Sequence, residues 1–113
     1  MGYKRTTYYI MEYRLDNYSR NPQMLLDKLA TNCKARRLEK GLSRKTLSDL
    51  TGIPAPTLER FERTGKISLE SFCKLVIQFD YFDEMAAILG KTKYTTSAEL
   101  EQINKNRTRQ KGR

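Results

Sequence analysis

With 113 residues, 22 basic and 13 acidic side chains and a net charge of +9, the chain has room for one domain with a modest core, and its charge suits a phosphate-bearing partner. Histidine and tryptophan are absent, so the usual general base at neutral pH is missing, and two cysteines cannot supply the ligands of a structural zinc site. No apolar run approaches the ~20 residues that cross a bilayer.

The first ten residues carry charge but no apolar segment of signal-peptide type, so a cytoplasmic location is expected, where Cys33 and Cys73 stay reduced. Neither a glycine-rich phosphate loop nor a G-x-S-x-G elbow is present. The expectation is a binding protein, neither enzyme nor cofactor carrier. Composition by itself is equally compatible with a lysine-rich solvated surface, so the distribution of charge carries more information. Residues 28–66 hold ten basic and four acidic groups, and residues 67–90 hold one basic and four acidic. Residues 91–113 hold seven basic and two acidic. One positive face and one negative face are expected.

Along the chain, residues 1–21 form an N-terminal arm. Within it, residues 6–15 alternate Tyr9, Met11, Tyr13 and Leu15 with Tyr8, Ile10, Glu12 and Arg14, which is a strand pattern. A lone strand needs a partner, such as its own copy across a two-fold axis. A disordered arm, or an extension ahead of a start at Met11, accounts for the same residues.

Asn21 and Pro22 open a helix. Leu26, Leu29, Ala30 and Cys33 follow at helical spacing, and the helix should run to about Lys40 and stop at Gly41. Cys33 reads as a small core residue. Ser43 caps a second helix with Leu47 and Leu50 inward, ending at Gly52. Ile53 inserts between helices, and Pro54 and Pro56 frame the start of a third. That helix turns Leu58 and Phe61 inward and leaves Thr57, Glu59, Arg60 and Arg63 outside, before Gly65 ends it. Ser68 caps a fourth helix whose apolar side is Leu69, Phe72, Cys73, Val76 and Ile77, with Glu70 in its first turn. Asp80 is expected to cap a fifth, with Phe82, Met85, Ala86 and Leu89 inward and Gly90 at its end. Thr96 and Glu99 suggest a capping box for a short helix over 97–105. The basic end from Asn104 onward reads as mobile.

Residues 37–65 decide between function classes. A helix-turn-helix lays its second helix in the major groove of DNA while the first crosses the backbone. It needs a flexible residue in the turn, an apolar wedge after it, and inward apolar residues on both helices. Gly52, Ile53, Leu47, Leu50, Leu58 and Phe61 fill those slots in order.

With those residues in place, the chain resembles the lambda-repressor-like, or XRE-type, helix-turn-helix family over residues 22–90, most strongly over 37–65. The resemblance implies an all-α, five-helix domain with the third helix reading DNA. It implies duplex contacts at Arg44 and Lys45, at Ala55, Pro56, Thr57 and Arg60, with Glu59 nearby, and a buried structural ion pair between Arg37 and Glu62. The chain departs from the family at Ala55 and Pro56, which replace residues that are often glutamine or serine. They offer a thymine methyl contact but no side-chain hydrogen bond to a base. Arg36 takes a place that is commonly apolar, and Thr64 lengthens the link to Gly65. Arg60 becomes the first candidate for a bidentate contact with guanine, Arg44 the second. Lys45 and Lys66 suit phosphate better than a base edge. Glu59 suits either a cytosine amine or a neighbouring arginine.

Residues 58–70, followed by a short helix and an Arg/Lys-rich end, look like the HipB-type antitoxin regulators. That likeness implies autoregulation of a shared operon and a HipA-family kinase toxin as partner, while the helix-turn-helix spacing and the basic band lead to the expectation of a homodimeric, sequence-specific repressor. A stand-alone phage or prophage repressor, or an antitoxin whose main task is to hold a partner protein, fits the same words. The basic C-terminal extension, 91–113, would touch phosphate or the minor groove, be ordered by a partner, or stay solvated.

Overall fold

The computed structural model describes residues 20–109, and within them every regular element is an α-helix. There are six: α1 (Pro22–Glu39), α2 (Arg44–Thr51), α3 (Ala55–Thr64), α4 (Leu69–Gln78), α5 (Phe82–Ala86) and α6 (Ser97–Thr108). None is long and apolar enough to cross a membrane. The strand expected over 6–15 lies outside the described residues. By contacts the chain divides into two compact units, one ending at Phe82 and the other beginning at Asp83.

The helix starts follow local capping chemistry. Asn21 Oδ1 accepts from the Met24 N–H at 2.9 Å, Ser43 Oγ from Thr46 N–H at 3.0 Å, and Ser68 Oγ from Ser71 N–H at 3.1 Å. Pro54 precedes α3 without a side-chain cap, and the prolines there cost little because the first N–H groups of a helix have no internal partner. α1 closes in a Schellman turn: Gly41 N–H donates to Leu38 C=O, and Leu42 N–H to Arg37 C=O. α2 and α3 end at Gly52 and Gly65, both left-handed, at φ 80° and 78°.

The first unit packs around Ala30, Leu47, Ile53, Leu58, Phe61, Leu75 and Phe79, with Cys33, Leu42, Ile67 and Phe72 against them. Phe61 and Phe72 meet edge to face, 6.0 Å between ring centres. Ile53, in the turn between α2 and α3, is fully buried and wedges the two helices. Side chains of this type each contribute roughly 1.5–3 kcal/mol when fully buried.

Several expected positions differ. Leu50 is 54% exposed, because Leu47 and Ile53 already fill the space under α2. On α4, Phe72 and Val76 face inward as expected and Leu75 joins them, while Leu69 and Ile77 face out. The core-facing stripe is therefore rotated from the one read in the sequence. Asp80 does not cap α5. It sits at φ 67° and closes α4 in a second Schellman turn, with its N–H on Ile77 C=O and Tyr81 N–H on Val76 C=O.

In the second unit, α5 ends at Ala86 rather than near Gly90. Ile88 N–H then bonds Met85 C=O, and Gly90 N–H bonds Ala87 C=O, both spans of three residues that tighten the chain into turns. Leu89, expected inward, is left-handed at φ 64° and 97% exposed, and Phe82 is exposed as well. α6 runs on through Thr108, so the segment after Asn104, read as mobile, begins as helix. Thr96 caps α6 by accepting from Glu99 N–H, but Glu99 reaches back one residue further than a capping box requires. Its Oε1 accepts from the N–H and hydroxyl of Thr95, and these bonds hold its carboxyl below the ordinary range.

Candidate nucleic-acid interface

The residues singled out for duplex contact lie on α2, α3 and the turn after α3, all in the first unit. A buried carboxylate joins these elements. Glu62 lies one position past Phe61, on the side of α3 that faces α1, and its side chain is only 6% exposed. Oε2 accepts from Arg37 Nε at 2.7 Å, and Oε1 accepts from Arg37 Nη2 at 3.0 Å. The same Oε1 accepts from Arg44 Nε at 3.0 Å. Arg37 adds a third donor, Nη1, to the Leu42 carbonyl at 2.9 Å. One carboxylate thus links the end of α1, the start of α2 and the last turn of α3. Burial pushes the Glu62 carboxyl up, but the hydrogen bonds and charges of Arg37 and Arg44 outweigh it and leave it below the ordinary carboxylate range.

Arg44, expected to face the duplex, has its Nε committed to Glu62. The side chain remains 40% exposed, with no other bond to its guanidinium among the described residues. Glu62 therefore orients Arg44, and the guanidinium's remaining N–H groups stay available to phosphate. Lys45, next on α2, is exposed and meets Asp49 at 3.5 Å. Such a pair is worth ~0–1 kcal/mol, so Lys45 can exchange it for a phosphate at small cost.

The exposed face of α3 follows from 100° per residue. With Leu58 and Phe61 inward, Pro56 and Arg63 lie along the centre of the outer face, and Arg60 and Glu59 flank it on opposite sides, each about 50° away. Thr57 lies at its edge, beyond Arg60, and like Glu59 is half-buried. Ala55 is half-buried, midway between the core side and the outer face. Arg63 Nε donates to Glu59 Oε2 at 3.2 Å. Arg60 is exposed, and its guanidinium has no hydrogen bond or ion pair among the described residues. Lys66, just past Gly65, is also exposed with no partner for its ammonium among them.

The start of α1 supports this face from behind. Gln23 Nε2 donates to both Asp27 Oδ1 and the Thr64 carbonyl, tying the first turn of α1 to the last of α3. Sequence reasoning missed Gln23, and nothing local in the sequence marks it, since the bond depends on how α1 crosses α3. Exposed cations at the start of α2 (Lys45) and along α3 (Arg60 and Arg63) can bind polyanions.

No family model matches the chain, and neither a curated protein nor a solved structure matches it.

Proposed function

We propose that this chain is a sequence-specific regulator of transcription that binds double-stranded DNA, a repressor of the lambda-repressor-like helix-turn-helix type, working as a homodimer. In this reading α2, the turn at 52–54 and α3 are the helix-turn-helix, and the five helices from α1 to α5 are the family's domain. α3 enters the major groove. Arg60 reads guanine, Arg44, Lys45 and Lys66 hold phosphates, and Pro56 and Thr57 touch base edges or thymine methyl groups. The observation that carries it is Arg60, exposed and unpartnered among the described residues on the outer face of α3, a helix tied by Glu62 to both preceding helices.

Selection of bound sequences from a random duplex pool tests the proposal. An enriched sequence is expected, and Arg60→Ala should weaken its binding by ~1–3 kcal/mol and relax one position. Equal loss on enriched and random duplexes would remove Arg60 from the role of base reader.

A second reading, the antitoxin of a toxin–antitoxin operon with a HipA-family kinase as partner, has its own support. Residues 87–93 form an open cleft lined by Ala87, Ile88, Leu89, Gly90, Lys91 and Lys93, and Leu89 stands free of the chain. Exposed apolar side chains of this kind suit a protein partner better than DNA.

A further inference from the structure

α3 places an acidic residue where the proposed interface needs cations. Glu59 flanks the centre of the outer face on the side opposite Arg60, and its side chain is 46% exposed. It holds Arg63, which lies on the centre of that face and is 63% exposed. An exposed i, i+4 pair is weak and open to exchange. Its contribution to stability is therefore small, and its position calls for another explanation.

We infer that Glu59 is the specificity-determining residue of this surface, a discriminator that penalises docking on any duplex lacking a donor opposite it. The inference rests on the DNA-binding reading. Two effects act together. Against an arbitrary sequence, the carboxylate meets the field of the phosphates and keeps Arg63 folded back along the helix. General affinity, which comes almost entirely from cation–phosphate contacts, is lowered on both counts. Against a sequence that presents a cytosine amine in the major groove, the carboxylate accepts a hydrogen bond, and Arg63 is freed for a neighbouring phosphate. The penalty thus falls on wrong sequences and is relieved on the right one, which is how repulsive elements generate specificity. Arg60 supplies attraction to a preferred base; Glu59 supplies rejection of the others.

The test uses the full chain and two probes, the duplex enriched by selection and a random-sequence duplex of equal length, each at several salt concentrations. Glu59→Gln keeps the shape and removes the charge. Its expected effect is about a tenfold gain in affinity for random duplex, little gain or a loss on the enriched one, and a salt dependence on random duplex steeper by about one phosphate contact. Glu59→Gln combined with Arg63→Gln should return that salt dependence to the wild-type value. Thermal melting of both variants close to wild type places the effect in binding. An unchanged ratio between the two duplexes in Glu59→Gln overturns the discriminator while leaving the DNA-binding reading intact. Wild-type protein that enriches no sequence overturns both.

Discussion

Glu62 shows how a single side chain can hold three helices and still serve a surface. Its two oxygens accept from Arg37 twice and from Arg44 once, inside a site where Arg37 is nearly as buried as the carboxylate. Breaking one partner of a buried pair costs roughly 3–5 kcal/mol, because the other charge is left stranded. The pair also couples stability to pH. Since the Glu62 carboxyl is held below its ordinary value, its contribution is fully present above the unfolded-state pKa, about 4.3, and is lost as pH falls through the lower folded value. Urea titrations at a series of pH values should show a decline below about pH 4.5. Glu62→Gln, less stable at neutral pH, should show a smaller decline; an equal decline in both proteins would assign the acid sensitivity to other carboxylates. The pairing of Arg37 with Glu62 is what the resemblance to helix-turn-helix repressors implies. The engagement of Arg44 is not, because a residue at the start of α2 reaches Glu62 only through the crossing of α2 and α3, which no local spacing encodes.

At the scale of elements, two glycines in the same left-handed conformation have different neighbours. A side chain at Gly52 would meet nothing within 4 Å, whereas a Cβ at Gly65 would lie 2.9 Å from the backbone and Cβ of Leu26. Gly52→Ala should therefore cost only the conformational term, ~1–2 kcal/mol. Gly65→Ala should cost clearly more, since α1 must move away from the end of α3. Comparing their melting temperatures decides the point, and equal shifts would mean that α1 gives way freely. Capping residues made the starts of α1, α2, α4 and α6 legible, and glycines made the ends of α1, α2 and α3 so. The fifth helix was misread for a physical reason. Asp80 looked like a start signal, but its short polar side chain also tolerates the left-handed region, and here it serves the end of α4. The apolar spacing of 82–89 suits a helix, yet a helix this short has little stability of its own and relaxes into three-residue turns after Ala86.

For the whole molecule, the all-helical class and the inward placement of Leu47, Ile53, Leu58 and Phe61 could be read from periodicity, while the division at Phe82–Asp83 could not, since continuous apolar spacing runs across it. The second unit offers Ile88 and Leu89 to solvent, which gives the proposed partner protein a defined target. Ile88→Ser with Leu89→Ser in the full chain should abolish co-purification with a co-expressed HipA-family kinase and leave duplex binding near wild type. Retained co-purification would move the partner's site elsewhere. Cys33 has a different use. It packs half-buried against the core, and burial together with the nearby Glu62 charge pushes its thiol up to about 11. Only the thiolate is nucleophilic, so at neutral pH the native protein keeps this sulfur nearly silent toward alkylating reagents. Its modification rate becomes a clock for the opening of the packed interior, recorded by a built-in label and independent of any nucleic acid.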